Sequence, residues 1–266
     1  MSIYNGVENL GLENALEAEV FHVQDNNADD SKEGEAINYA VNLYTKSFEC
    51  PVCYETFEST VVRHSKLRYV SSDIDLRAIY KPMDPAYYSI LLCPHCGYAA
   101  LTDIFNRISD KQTDKIKEQI TPKFKKQEYP LVLSAEHAIK RHKIALLNAV
   151  VKGVRDSEKG YLCIKIAWIY RDLKDDENEM LFIDAAYKFL VEALSKEYPP
   201  IFGMDESTLM YLLGALARKL GHNKEALRLM SNVILKTGTS DRLKDRARDL
   251  REMIKAEESE AAADNE

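Results

Sequence analysis

Four cysteines hold the chemistry that stands out in this sequence. Cys50-Pro51-Val52-Cys53 and Cys93-Pro94-His95-Cys96 are two Cys-x-x-Cys pairs, each after an expected strand and each with proline following the first cysteine. Such pairs form knuckles: a tight turn aims both sulfurs at one point while backbone N–H groups donate to the thiolates. Two knuckles supply four thiolates, a closed tetrahedral shell for one structural Zn2+ at about 2.3 Å. Catalytic zinc keeps a coordination position open, so four thiolates point to a structural ion in a protein that is not an enzyme. Gly97 suits the turn after Cys96, where a left-handed backbone is often needed. Tyr54 holds the matching place in the first knuckle, so that turn must differ or carry strain. His95 is expected to face outward. Cys163, within Tyr161-Leu162-Cys163-Ile164, reads as a buried core thiol.

Two observations compete with zinc. The 39 residues between the pairs exceed the fifteen to twenty of a compact ribbon, although the intervening segment looks structured and can fold back. Cys-Pro-His-Cys is also a redox tetrapeptide when it sits at a helix N-terminus. Here it closes a strand, lacks a βαβ frame and has a second pair beside it.

These cysteines need a scaffold, and 266 residues with 45% hydrophobic content can supply sizeable cores. Short β-like runs at 41–44, 59–62, 67–70 and 87–92 alternate with turn formers. Strands this short bury little surface alone, so a metal staple is expected. Helices are expected at 99–108, 113–120, 133–152, 157–173, 178–197, 206–220, 223–237 and 240–257, with breaks at Gly153, Asp175, Pro199-Pro200, Gly221 and Gly238. Residues 6–23 can form a short amphipathic helix, followed by a polar linker over 24–36.

The fold class that follows is α+β, mainly α: a small zinc-ribbon-like β module and then TPR-like antiparallel helical pairs. The expected organisation is an acidic, partly mobile segment at 1–36, the zinc module with its following helices at 37–130, a TPR-like domain at 131–257 and an acidic disordered tail at 258–266. The tetratricopeptide register places Leu213, Gly214, Ala217, Ala226, Met230 and Val233 at its small and apolar positions. Ala167, Tyr170, Ala186, Leu190 and Ala193 fit an earlier unit with a lengthened turn. Any antiparallel bundle favours small residues at crossings as well.

The net charge of −7 is uneven: residues 1–45 carry nine carboxylates and one lysine, and residues 256–266 carry five carboxylates and no base, leaving +6 on the body. No run of about eighteen apolar residues is present, and Met1-Ser2-Ile3-Tyr4-Asn5 does not start like a signal peptide. A cytoplasmic protein that uses no membrane is expected, with thiols kept reduced.

The run from Cys50 to Ala100 resembles the DUF2225 proteins of bacteria, an uncharacterised group. The likeness rests on Cys50-Pro51-x-Cys53, Arg63, Lys66-Leu67-Arg68, Asp73, Asp75, Pro85-x-x-Tyr88 and Cys93-Pro94-His95-Cys96-Gly97-Tyr98-Ala99-Ala100. It implies the zinc knuckles and a continuation into TPR-like helices, and it brings no activity. Tyr54, where many members have glycine, is the visible departure.

Three functions are open at this point. A scaffold would offer a helical groove to a protein or peptide partner. Nucleic acid could dock on Arg63, His64, Lys66, Arg68, Arg77 and Lys81 with Tyr69 and Tyr80 interleaved, against Asp73 and Asp75 in the same insert. A surface or ligand site, in the extreme an enzyme, could use Arg63, Lys66, Arg68, Asp73, Asp75 and Tyr88, although Asp-x-Asp in an extended segment more often pairs with nearby bases. No triad, phosphate loop or dinucleotide fingerprint appears.

Overall fold

The computed structural model describes residues 39–263. The expected helix at 6–23, the linker and the acidic segment at 1–36 lie outside them. Three two-stranded sheets and seven α-helices follow in chain order: β1 (Leu43–Glu49), β2 (Thr56–Val62), β3 (Arg68–Ser72), β4 (Ala78–Lys81), β5 (Ile90–Leu92), β6 (Ala99–Leu101), α1 (Asp110–Gln119), α2 (Ala135–Lys152), α3 (Asp156–Leu173), α4 (Asp176–Lys196), α5 (Glu206–Lys219), α6 (Asn223–Leu235) and α7 (Asp241–Ala263). The architecture is α+β and mainly α.

The chain divides into two compact units. The first contains residues 79–154 and 168–175 together with the chain up to Val70, and the second contains 71–78, 155–167 and the chain from Asp176 onward. Helix α2, expected with the helical domain, therefore clusters with the β hairpins.

In the first unit β1 and β2 pair antiparallel, with Phe48 opposite Phe57, and β5 and β6 pair with Leu91 opposite Ala100. The 99–108 helix expected from sequence does not form. Ala99, Ala100 and Leu101 instead make the return strand of a buried hairpin, continued by a 3-10 turn at Thr102–Ile104. Cross-strand pairing and burial override the helical preference of an alanine-rich run. The strand expected at 87–92 begins only at Ile90, because Pro85–Tyr88 is a 3-10 turn in which Asp84 accepts from the Ala86 N–H at 2.8 Å. Helix α2 packs across the β5–β6 hairpin and against α1. Phe48, Phe57, Phe105 and Tyr98 form a chain of ring contacts, with Tyr98 fully buried and its hydroxyl donating to the Phe105 carbonyl at 2.9 Å.

In the second unit, hydrogen bonds and ion pairs between helix ends give the direction of each neighbour. Ser157, at the start of α3, donates both N–H and hydroxyl to Glu197, just past α4, at 2.9 and 2.6 Å. Lys219, ending α5, pairs with Glu179 at the start of α4, and Lys236, just past α6, pairs with Glu206 at the start of α5. Successive helices from α3 to α6 are thus antiparallel. Two glycines leave room for a facing side chain: a Cβ on Gly160 would meet Leu190, and one on Gly214 would meet the Met230 terminal methyl. Helix α7 packs on α5 and α6 through buried Ala247, Leu250 and Ile254 and stays helical to Ala263, so residues 258–263, expected as a disordered tail, continue the helix. At the tip of the β3–β4 turn, Arg246 donates to the Ser72 hydroxyl at 3.1 Å and the Asp73 carbonyl at 2.6 Å.

Candidate metal centre

Each Cys-x-x-Cys pair forms the turn of a hairpin, the first between β1 and β2 and the second between β5 and β6. The two turns repeat one hydrogen-bond pattern. The Tyr54 N–H donates to the Cys50 carbonyl at 2.9 Å and the Cys50 N–H to the Glu55 carbonyl at 3.0 Å; the Gly97 N–H donates to the Cys93 carbonyl at 3.1 Å and the Cys93 N–H to the Tyr98 carbonyl at 2.8 Å. Closing the turn this way requires the fifth residue in the left-handed region, where Tyr54 has φ 63° and Gly97 φ 76°. In both knuckles the two amides after the first cysteine's proline point at that cysteine's sulfur: Val52 and Cys53 at Cys50, His95 and Cys96 at Cys93.

The four Sγ atoms lie within 4.8 Å of one another. Cys50 and Cys96 are 3.6 Å apart, as are Cys53 and Cys93. A disulfide would need about 2.05 Å, and all four are free thiols. A tetrahedron with metal–sulfur bonds of about 2.3 Å has edges near 3.8 Å, so the donor set fits one tetrahedral ion. Cys50 and Cys96 are fully or almost fully buried, and the 39-residue insertion does not keep the pairs apart.

Electrostatics favour a cation here. Thiol donation from Cys50 and then Cys96 pulls Cys93 down to about 2, while the hydrogen bond to Cys93 pushes Cys50 up to about 12 and the one to Cys50 raises Cys96 as well. Among these three thiols only Cys93 is driven toward the thiolate by its neighbours. Four thiolates require a positive charge at their centre, and metal binding would release the remaining protons.

Other side chains brace the knuckles. Asn148 on α2 donates to the Gly97 carbonyl at 3.1 Å, the Thr121 hydroxyl donates to the Cys96 carbonyl at 3.0 Å, and Phe124 packs so closely on Gly97 that a Cβ would overlap its ring. His95 is exposed, and Cys163 is fully buried with its thiol pushed up by desolvation.

Over residues 43–254 the chain matches the family described as "Uncharacterized protein conserved in bacteria (DUF2225)". The chain belongs to the DUF2225 family. An uncharacterized protein of Borreliella burgdorferi is 24% identical to this DUF2225 chain over 231 residues, covering 70% of this chain and 81% of the relative. No solved structure matches it.

The remaining candidate residues divide between the two units. Arg63, Lys66 and Arg68 are exposed in the first, where Arg63 lies over the Tyr44 ring at 4.8 Å and donates to the Leu43 carbonyl at 3.3 Å. Asp73 and Asp75 belong to the second, and Asp75 is buried. Tyr88 is buried among Leu43, Val62 and Leu133, where its hydroxyl accepts from the Leu133 N–H at 2.8 Å and faces the Leu131 carbonyl at 3.4 Å. Desolvation raises the Tyr88 phenol. That fixes the stretch entering α2 and makes Tyr88 a structural residue.

Sequence reading missed two polar features of α2. His142, fully buried, shares a 3.1 Å hydrogen bond with Ser89, and its other ring nitrogen meets the Ala138 carbonyl at 2.7 Å. Arg141, 5% exposed, donates to the Ile90 carbonyl. Ser89 and Ile90 lie about fifty residues away from them, beyond the reach of any local spacing signal.

Proposed function

We propose that this DUF2225 protein is a non-catalytic zinc-binding protein in which one structural Zn2+ staples the β hairpins and the helical pairs form a TPR-like scaffold for a protein or peptide partner. The observation that carries the zinc reading is the convergence of four sulfurs from two knuckles with one backbone pattern. Tetrahedral S4 sites are typical of zinc and of iron–sulfur chemistry; sulfur–sulfur distances of 3.6 Å fit a single ion at the centre better than a polynuclear cluster, and zinc is the usual single ion of a structural four-cysteine site. Zinc would supply charge neutralisation and cross-linking, not a reactive water.

The TPR-like reading draws on the antiparallel succession of helices and on Gly214, Ala217, Ala226, Met230 and Val233, all at the α5–α6 crossing and all buried. Exposed Tyr198 and Leu235, 93% and 81% accessible, are apolar surface that a partner could cover. No helix among the described residues is long and apolar enough to cross a membrane. A cytoplasmic setting would keep the thiols available to metal.

Elemental analysis of the native protein tests the first layer: one zinc per chain is expected, and iron or a metal-free native protein overturns it. The scaffold is tested by capturing partners with the intact chain and with Tyr198→Ser/Leu235→Ser; retention of every partner by the variant removes its support.

A second reading is favoured by one observation. Lys66, Arg68, Tyr69 and Lys81 are exposed around β3 and β4, where Tyr69 meets Tyr80 edge-on at 5.9 Å, a basic and aromatic surface suited to nucleic acid. A salt-dependent mobility shift of single-stranded RNA or DNA would support it.

A further inference from the structure

An apolar surface of the first unit lies beside the point where the chain before Tyr39 joins the body. Leu43, Val62, Tyr88 and Leu133 form a small buried cluster, with Leu67 and Met83 partly buried against it. Neighbouring residues on the same stretches of chain stay uncovered: Val41 is 60%, Leu131 46% and Val132 38% exposed. Leu131 and Val132 are held at the edge of the cluster, because the Tyr88 hydroxyl donates to the Leu131 carbonyl at 3.4 Å and accepts from the Leu133 N–H at 2.8 Å. The border next to Val62 is basic, with Arg63, Lys66 and Arg68 all exposed. The Arg63 N–H donates to the Asn42 carbonyl at 2.7 Å, which sets this basic run against the 3-10 turn Tyr39–Asn42, where the N-terminal chain enters.

That N-terminal chain carries the matching chemistry. At helical spacing Leu12, Leu16, Val20 and Val23 share one stripe, flanked by Glu8, Glu13 and Glu19, and residues 6–23 contain no lysine or arginine. An isolated helix of this length is marginal in water, so such a stripe needs a surface to fold against. Residues 24–38, fully extended, span up to about 50 Å, enough to return from Tyr39 to a surface that begins at Val41. A segment tethered this closely is present at an effective concentration of order millimolar and outcompetes a free partner of equal affinity. We propose that residues 6–23 dock as an amphipathic helix of the same chain on the surface of Val41, Leu67, Met83, Leu131 and Val132, with their carboxylates toward Arg63, Lys66 and Arg68. The contact uses neither the cysteines nor the helical pairs, so it stands apart from the zinc and scaffold readings.

The test places the photo-reactive residue p-benzoylphenylalanine at exposed Leu131 in the intact chain, irradiated in dilute solution, with the cross-linked site read by mass spectrometry. A cross-link to residues 6–23 within one chain is expected. Leu16→Asp should lower its yield at least about ten-fold, as for loss of one buried leucine, and Lys66→Glu/Arg68→Glu about three-fold, as for two surface ion pairs. Hydrogen exchange without the photo-reactive residue gives an independent reading: the Leu131 and Val132 amides should exchange several-fold faster in Leu16→Asp, whose substitution lies outside the folded body. A cross-link to a second copy, to another protein or to no residue of 6–23 overturns the proposal. So does a yield or an exchange rate that Leu16→Asp leaves unchanged.

Discussion

Tyr54 and Gly97 occupy the same place in the two knuckles, each donating its N–H to the carbonyl of the first cysteine from a left-handed backbone, at φ 63° and 76°. One is a side chain that ordinarily avoids this region, the other the residue made for it.

The two positions should respond with opposite signs. Left-handed backbone costs an L-residue about 1–2 kcal/mol, and glycine gives back about 0.5–1 kcal/mol in unfolded-state entropy. Tyr54 is exposed, so Tyr54→Gly should stabilise the protein by about 0.5 kcal/mol. Gly97→Ala adds strain and overlap with Phe124, and should destabilise by about 2–4 kcal/mol. Denaturant midpoints measured with metal bound would show it; equal losses in both variants would refute the shared geometry.

Cysteine substitution should separate the metal ligands from the core thiol. Cys53→Ser is expected to lose the metal and several kcal/mol of stability. Cys163→Ala, far along the chain in α3 and buried, should keep full metal content and lose about 1 kcal/mol to a small cavity. Elemental analysis beside thermal unfolding checks both.

Tyr88→Phe should cost about 1–3 kcal/mol, the penalty of leaving the buried Leu133 N–H without its acceptor. A ligand-contacting tyrosine would instead change binding and leave stability nearly untouched.

Helix crossings should be graded by what stands opposite the glycine. Gly160 faces the branched Cγ of Leu190 at 2.8 Å and the Phe189 Cβ at 3.2 Å, so Gly160→Ala should destabilise by about 1–2 kcal/mol. Gly214 faces the mobile end of Met230, which can turn away, and alanine improves helix propensity by about 1 kcal/mol. Gly214→Ala should therefore fall within about 1 kcal/mol of the parent.

Asp205 caps α5, accepting from the Thr208 N–H at 2.7 Å, and that backbone bond holds its carboxyl below the ordinary 3.8. Because the folded value is depressed, the stabilisation is complete above the unfolded value and disappears as pH falls through the folded one. Asp205→Ala should cost about 1 kcal/mol at neutral pH, and the gap should close below pH 4.

What the sequence revealed divides by the range of the interaction. Helices from α2 to α6 begin and end close to their expected limits, because caps such as Ser134 and Asp205 and stops such as Gly153 act within a few residues. The cysteine cluster was legible because chemistry leaves few other uses for two such pairs in a reduced chain, even across 39 residues. Ala99–Leu101 was misread as helix because its partner strand lies on the far side of the knuckle. Arg141 carries no signal of its own in the sequence; only the return of Ile90 and Tyr129 against it turns it into a buried charge.

The separation of the two knuckles along the chain also bears on how the protein is made. Ribosomes add roughly 5–20 residues per second, so Cys50 and Cys53 emerge some seconds before Cys93 and Cys96 do. During that interval the nascent polypeptide presents a half-built dithiol, open to adventitious ions and to oxidants. With zinc as the proposed occupant, cells short of that ion at the moment of synthesis should accumulate chains whose first hairpin has been captured by the wrong chemistry, a biogenesis hazard that a ribbon with closely spaced cysteines largely escapes.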